Sequence, residues 1–205
     1  MNNNLLEIKN LSKIYHTKEK ETLALENISF NIKEKEFISL VGPSGCGKST
    51  ILTILANIIK DYKGTIKYSK NNPKIGYMLQ EDSLFPWKTV LENACLGLEI
   101  KKELNKETKQ NVINLLNKYG LKDFINSYPS SLSGGLKQRV ALIRTLAINP
   151  DILLLDEPFS ALDYQTRLAL SDDLKNIINE ENKTTIMVTH DITEAISMSD
   201  KVIIL

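Results

Sequence analysis

The stretch Gly42-Pro43-Ser44-Gly45-Cys46-Gly47-Lys48-Ser49-Thr50 constrains the fold more than any other part of the chain. It follows the apolar run Phe37-Ile38-Ser39-Leu40-Val41 and precedes Ile51-Leu52-Thr53-Ile54-Leu55-Ala56, so a buried strand turns into a helix here. Strand, glycine-rich loop, Lys-Ser and helix in that order make a phosphate-binding loop. Gly42, Gly45 and Gly47 let the backbone curl until successive N–H groups face one anion. The helix adds its own unpaired N–H groups and dipole at the same point. Lys48 then offers a point charge to the β and γ phosphates, and Ser49 a hydroxyl to Mg²⁺. A plain glycine turn with a surface lysine is the alternative, but motif and flanking elements agree with each other. The working ligand is a nucleoside triphosphate.

At 205 residues the chain accommodates one α/β domain with a subdomain, and is too short for two full domains. Lys and Arg total 26 against 25 Asp and Glu, a formal charge of +1, which argues against a broad nucleic-acid or anionic-membrane surface. The cysteines, Cys46 and Cys95, offer no disulfide framework, and a reducing interior is the simpler expectation. Met1-Asn2-Asn3-Asn4-Leu5-Leu6-Glu7 has neither the basic nor the long apolar region of a secretion signal. No apolar run approaches the roughly 20 residues of a membrane span. A soluble chain that leaves room for a membrane partner is expected.

Leu6 to Leu11 and Ile28 to Ile32 alternate apolar with polar, which predicts two half-buried antiparallel strands. Tyr15, placed just after the first, can stack on a base or serve as an ordinary surface or core tyrosine. A short strand follows at Thr65-Ile66-Lys67-Tyr68, and another apolar run at Ile75 to Leu79 ends in Gln80. Polar side chains at strand ends are where α/β sheets gather ligand contacts, which makes Gln80 a site candidate. Leu84-Phe85-Pro86-Trp87-Lys88-Thr89-Val90 reads either as core filler or as an anchor for a partner helix. Val112, Leu115, Leu116 and Tyr119 then fall on one helix face, with Gly120 at its C-terminal end. Residues 81–145 therefore read as a mostly helical insert.

Leu132-Ser133-Gly134-Gly135-Leu136-Lys137-Gln138-Arg139 opens a further helix. Ser133 can be an ordinary N-cap, yet Ser-Gly-Gly at a helix start also makes a second anion site. Ile152-Leu153-Leu154-Leu155 is continuously apolar, as a covered parallel strand should be, and ends in Asp156-Glu157. Adjacent carboxylates there repel one another and make sense beside a Mg²⁺ nucleotide: Asp156 for the metal, Glu157 to orient and deprotonate water. Ser160-Ala161-Leu162-Asp163 is a polar turn, and His190 ends the last strong strand, Thr184 to Thr189. A lone histidine is usually structural; its strand-end position, matching Gln80 and Asp156, favours the site.

Taken together the motifs resemble those of ATP-binding subunits of ABC transporters over nearly the whole chain. Gly42 to Ser49 matches Walker A, Gln80 the Q-loop, Leu132 to Arg139 the signature, Ile152 to Asp156 with Glu157 Walker B, Ser160 to Asp163 the D-loop, and His190 the switch histidine. The resemblance implies an α/β fold: a RecA-like P-loop NTPase core at 1–80 and 146–205, an N-terminal antiparallel β subdomain, and an inserted helical subdomain at 81–145. It further implies an ATPase using ATP and Mg²⁺. Two copies would pair head to tail, each ATP lying between one chain's P-loop and Ser133, Gly134 and Gly135 of the other. Tyr15 would stack on the base, His190 contact the γ-phosphate, Gln80 the metal and attacking water, and Asp163 the opposite subunit. Leu84, Phe85 and Trp87 would face transmembrane permease subunits, placing the chain in the cytoplasm on the inner face of the membrane and linking it indirectly to a solute-binding protein.

The Leu84 to Val90 segment is similar to that of import subunits of the nitrate, sulfonate and taurine branch. Family members usually continue beyond the strand at Val202 to Leu205, so a trimmed C-terminus is expected. A soluble ABC ATPase acting on nucleic acid or ribosomes is the main rival, and the single motif set, lack of heptads and near-zero charge argue against it. A small-molecule kinase would leave the signature and His190 unexplained.

Overall fold

The computed structural model describes residues 4–16, 20–160 and 162–205, so Ala161 of the polar turn lies outside it. In chain order its strands and α-helices are β1 (Asn4–His16), β2 (Glu21–Lys33), β3 (Phe37–Val41), α1 (Lys48–Leu55), β4 (Lys63–Tyr68), β5 (Ile75–Met78), α2 (Val90–Ile100), α3 (Lys106–Lys118), α4 (Gly134–Leu146), β6 (Ile152–Asp156), α5 (Tyr164–Glu180), β7 (Thr184–Thr189), α6 (Ile192–Met198) and β8 (Lys201–Ile204).

The continuous apolar runs become a five-stranded parallel sheet in the order β5-β6-β7-β3-β8. Strand period 2 splits their side chains between two cores. Ile152 and Leu154 of β6 and Ile186 and Val188 of β7 pack with Ile51, Leu52 and Leu55 of α1 and with Leu6, Ile8 and Leu11 of β1. Leu153, Leu155 and Met187 point the other way, into a core shared with Val112 and Leu116 of α3 and Val140 and Ile143 of α4. The antiparallel sheet, ordered β2-β1-β4, caps the first core, with Ile8 opposite Phe30 and Ile66. The fold is the α/β arrangement with an antiparallel sheet that the sequence predicts.

At eight residues α1 is too short to stand alone in water. Ile51, Leu52, Ile54 and Leu55 are all buried, each worth about 1.5–3 kcal/mol. That burial fixes where the helix begins, and so where its free N–H groups point.

Two positions depart from the sequence reading. Tyr15 lies inside β1, opposite Thr22, rather than just beyond the strand. Register shifts between Ile8 and Leu11 and between Leu11 and Lys13 break the alternation, so the pattern stops before the strand does. Leu84 is buried, 9% exposed, within the core that α2, α3 and α4 share. It cannot face a partner from there. Among the described residues no helix is long and apolar enough to cross a membrane.

Candidate nucleotide site

Neighbouring parallel strands carry their carboxyl ends to one edge of the sheet, and the candidate residues follow from that register. β5 ends just before Gln80, β6 at Asp156, β7 just before His190, and β3 at the P-loop. Ligands of open α/β sheets bind along such an edge.

The P-loop is held in shape by its own side chain and backbone. Lys48 Nζ donates to the carbonyls of Gly42 and Pro43 at 2.8 and 2.9 Å and lies 3.8 Å from Cys46 Sγ. The ammonium thus curls back over the loop it follows. Gly47, the N-cap of α1, has φ 96°, and a Cβ there would stand 2.3 Å from the Ala24 carbonyl oxygen. Both the left-handed backbone and the approach of β2 require glycine.

Ser49 Oγ donates to Asp156 Oδ1 at 2.9 Å, and the Tyr77 hydroxyl donates to Asp156 Oδ2 at 2.9 Å. The carboxylate is therefore fixed from both sides. Burial, followed by the nearby Asp156 charge, pushes the Tyr77 phenol well above its ordinary pKa, so it remains a donor. A serine hydroxyl beside one buried carboxylate offers hard oxygen donors of the kind Mg²⁺ takes, with phosphate oxygens and water completing its shell. The donor set fits that ion.

Glu157 follows Asp156 with φ 44°, a left-handed conformation unusual for glutamate. Its N–H bonds the Val188 carbonyl at 2.9 Å, so β7 holds the strained turn. The side chain meets two other candidates: Oε2 accepts from Gln80 Nε2 at 3.3 Å and lies 3.3 Å from His190 Nδ1. Gln80 Nε2 also reaches Ser160 Oγ at 3.3 Å. Gln80, Glu157 and His190 form one constellation although they come from three strand ends.

A cavity of about 420 Å³ is lined by Tyr15, Thr22, Ala24, Ser44, Gly45, Gly47, Lys48, Ser49, Thr50, Gln80 and Glu157. Tyr15 reaches it from β1, its hydroxyl 3.4 Å from Thr50 Oγ1. The signature residues are elsewhere. Ser133 is the exposed N-cap of α4, its Oγ accepting from the Leu136 N–H at 3.4 Å. Neither it, Gly134 nor Gly135 lines the cavity. Asp163 caps α5, accepting from the Thr166 N–H at 3.0 Å and the Thr166 hydroxyl at 2.6 Å.

Beyond Gln80, side chains outside the motifs shape the loop. Arg144 donates to the Asp82 and Ser83 carbonyls at 2.7 and 2.8 Å. Asn93, fully buried, accepts from the Phe85 N–H and donates to the carbonyls of Phe85, Lys88 and Thr89. Above this brace Phe85 and Trp87 stack with ring centroids 5.1 Å apart, and Trp87 is 70% exposed. Tyr77, Asn93 and Arg144 escaped the sequence reading. The tyrosine two residues after Ile75 on the strand leading to Gln80 was the one available signal.

Parallel-sheet topology, a P-loop at its carboxyl edge and a carboxylate facing the P-loop serine define a P-loop nucleoside triphosphatase. The family model described as ABC transporter matches residues 25–160. The chain belongs to that family, as an ATP-binding subunit and ATPase. It is 46% identical over 202 residues to the ABC transporter ATP-binding protein YtlC of Bacillus subtilis, covering 96% of this chain and 78% of that protein. With the aliphatic sulfonates import ATP-binding protein SsuB of Bacillus cereus it shares 41% identity over 203 residues, 97% of this chain and 80% of the relative. Among solved structures, the dimeric post-hydrolysis state of the ATP-binding cassette MJ0796 bound to ADP and Pi aligns with TM-score 0.81 and 37% identity, covering 98% of this chain and 94% of that one.

Proposed function

We propose that two copies of this chain close head to tail on two ATP molecules and thereby drive an importer of small solutes of the nitrate, sulfonate or taurine kind. The observation that carries the reading is the Gln80-Glu157-His190 constellation, joined through Glu157 Oε2 beside the P-loop cavity. Import-type relatives and a dimeric solved cassette support it.

In this reading the residues from Gly42 to Thr50 wrap the phosphates, and Tyr15 stacks on the base. Lys48 leaves its loop carbonyls for the phosphate oxygens, where the acceptor as well as the donor is charged and the hydrogen bonds are stronger. Ser49, Asp156 and Gln80 would hold Mg²⁺, whose charge offsets that developing on the phosphates. Glu157 orients the attacking water and takes its proton, while His190 and Gln80 fix the geometry around it. Ser133, Gly134 and Gly135 of the second copy aim the start of its α4 at the same γ-phosphate, and Asp163 meets the opposite subunit. Loss of that phosphate removes what both helix starts were holding, and the pair loosens.

Half-buried Phe85 and exposed Trp87, stacked on a loop braced by Asn93, are the proposed docking surface for short cytoplasmic helices of the permease at the inner face of the membrane. Through those transmembrane subunits the chain would serve a solute-binding protein. Glu157→Gln should keep ATP binding and lose about 100-fold or more of its turnover; a variant that hydrolyses normally would remove Glu157 as the base. Trp87→Ala should leave ATP affinity unchanged and weaken co-purification with the permease about 10-fold. Unaltered assembly would end the docking role.

A further inference from the structure

One side chain joins two loops that the site uses for different purposes. Arg167, on the first turn of α5, donates from Nη2 to the Leu162 carbonyl at 3.3 Å and places Nη1 3.5 Å from Asp191 Oδ2. Leu162 belongs to the turn between Glu157 and Asp163. Asp191 immediately follows His190.

The far end of this link is itself firmly held. Asp191 Oδ1 caps α6 by accepting from the Thr193 and Glu194 N–H groups at 2.9 and 3.2 Å, which leaves Oδ2 for Arg167. The Asp191 N–H donates to Thr189 Oγ1 at 3.0 Å, and the Thr189 hydroxyl donates to the buried Glu194 carboxylate. His190 thus sits between two residues tied to each other and to α6. Among the described residues, Arg167 Nε and Glu194 Oε1 are buried without a hydrogen-bond partner, so both carry unused capacity beside this link. Burial pushes the Glu194 carboxyl up, with the Arg167 and His190 charges pulling against it.

A guanidinium is planar and rigid, so its nitrogens move as one body. Contacts made by two of them cannot shift independently. We propose that Arg167 is a positioning residue that couples the Leu162 turn to the strand end carrying His190. A displacement at Leu162 is then transmitted through the fork to Asp191 and on to the imidazole. The consequence for catalysis rests on the two-chain reading, in which that turn meets the opposite subunit; the coupling within one chain does not.

The test is hydrogen exchange on the purified full chain, with ATP turnover alongside. Asp191→Asn keeps an N-cap as good as aspartate's and removes the charge that faces Arg167. Coupling predicts that the amides of Ser160, Leu162 and Asp163 exchange about 2- to 5-fold faster, the size of a partly exposed ion pair. Arg167→Gln should do the same at residues 190–193, and the double variant should add nothing further. Arg167→Lys keeps the charge but not the fork, and should exchange like Arg167→Gln. Turnover of Arg167→Gln should fall on the order of 10-fold in kcat at unchanged KM for ATP. Exchange changes confined to residues 189–194 in Asp191→Asn would overturn the proposal, as would a Gln variant whose loss appears in KM alone. Failure of Glu157→Gln to dimerise, with Ser160, Leu162 and Asp163 still loosened in Asp191→Asn, would leave the coupling standing and remove the two-chain reading instead.

Discussion

At the start of α1, Lys48 and Ser49 stand in a cavity with Gln80 and Glu157, and Asp156 is held against the serine. At the start of α4, Ser133 spends its hydroxyl on the Leu136 N–H and no residue from 133 to 135 reaches that cavity. Both helix starts carry the same intrinsic attraction for an anion, free N–H groups and a dipole end. Among the described residues, only the α1 start opens into that cavity, with Gln80 and Glu157 beside it and Asp156 against its serine. The difference teaches that a helix N-terminus is a generic phosphate reader and that side chains decide what is done to the phosphate. In the proposed two-chain arrangement the second start has a use: backbone donors offered to another chain's nucleotide need no machinery of their own.

The contrast can be broken from either side. The largest effect belongs to Lys48→Ala, which removes the P-loop's own ammonium from the furnished start. ATP affinity should fall about 10- to 100-fold by titration with a fluorescent analogue; undiminished affinity would mean the P-loop is not the phosphate site. Ser133→Asp is subtler, since aspartate caps a helix as well as serine does and α4 should remain equally stable. A carboxylate there would oppose the γ-phosphate of the other chain, so ATP binding to one chain stays as it was while ATP-driven pairing weakens at least roughly 10-fold. Pairing unchanged by sedimentation would leave the second start without its role. The smallest change is Tyr77→Phe, which frees one oxygen of Asp156. The Mg²⁺ concentration for half-maximal turnover should rise about 2- to 10-fold, the worth of one hydrogen bond, with melting temperature nearly constant. An identical Mg²⁺ dependence would show that Ser49 alone suffices to orient the carboxylate.

What could be read in the sequence was what sits contiguously on the chain. The P-loop, the Asp156-Glu157 pair and His190 each stand beside an apolar run, and parallel-strand ends converge by topology, so their meeting followed once the runs were recognised. Residues acting across the sheet were not readable. Tyr77 matters because β5 pairs with β6 in the register that sets Tyr77 opposite Leu154 and brings its hydroxyl to Asp156. No local pattern contains that pairing. Loop residues failed for a related reason: Leu84, Phe85 and Trp87 have no periodicity to separate inward from outward, and the packing of α2 and α4 buries the first while exposing the last. Tyr15 was misplaced because β-bulges erase the alternation that marks a strand.

Light scattering on Glu157→Gln, with and without ATP and Mg²⁺, tests most directly whether the bare helix start serves a second copy. The account predicts a monomer without nucleotide and a dimer with ATP, reverting when ATP is replaced by ADP. A variant that binds ATP and remains monomeric at every protein concentration tried would contradict it.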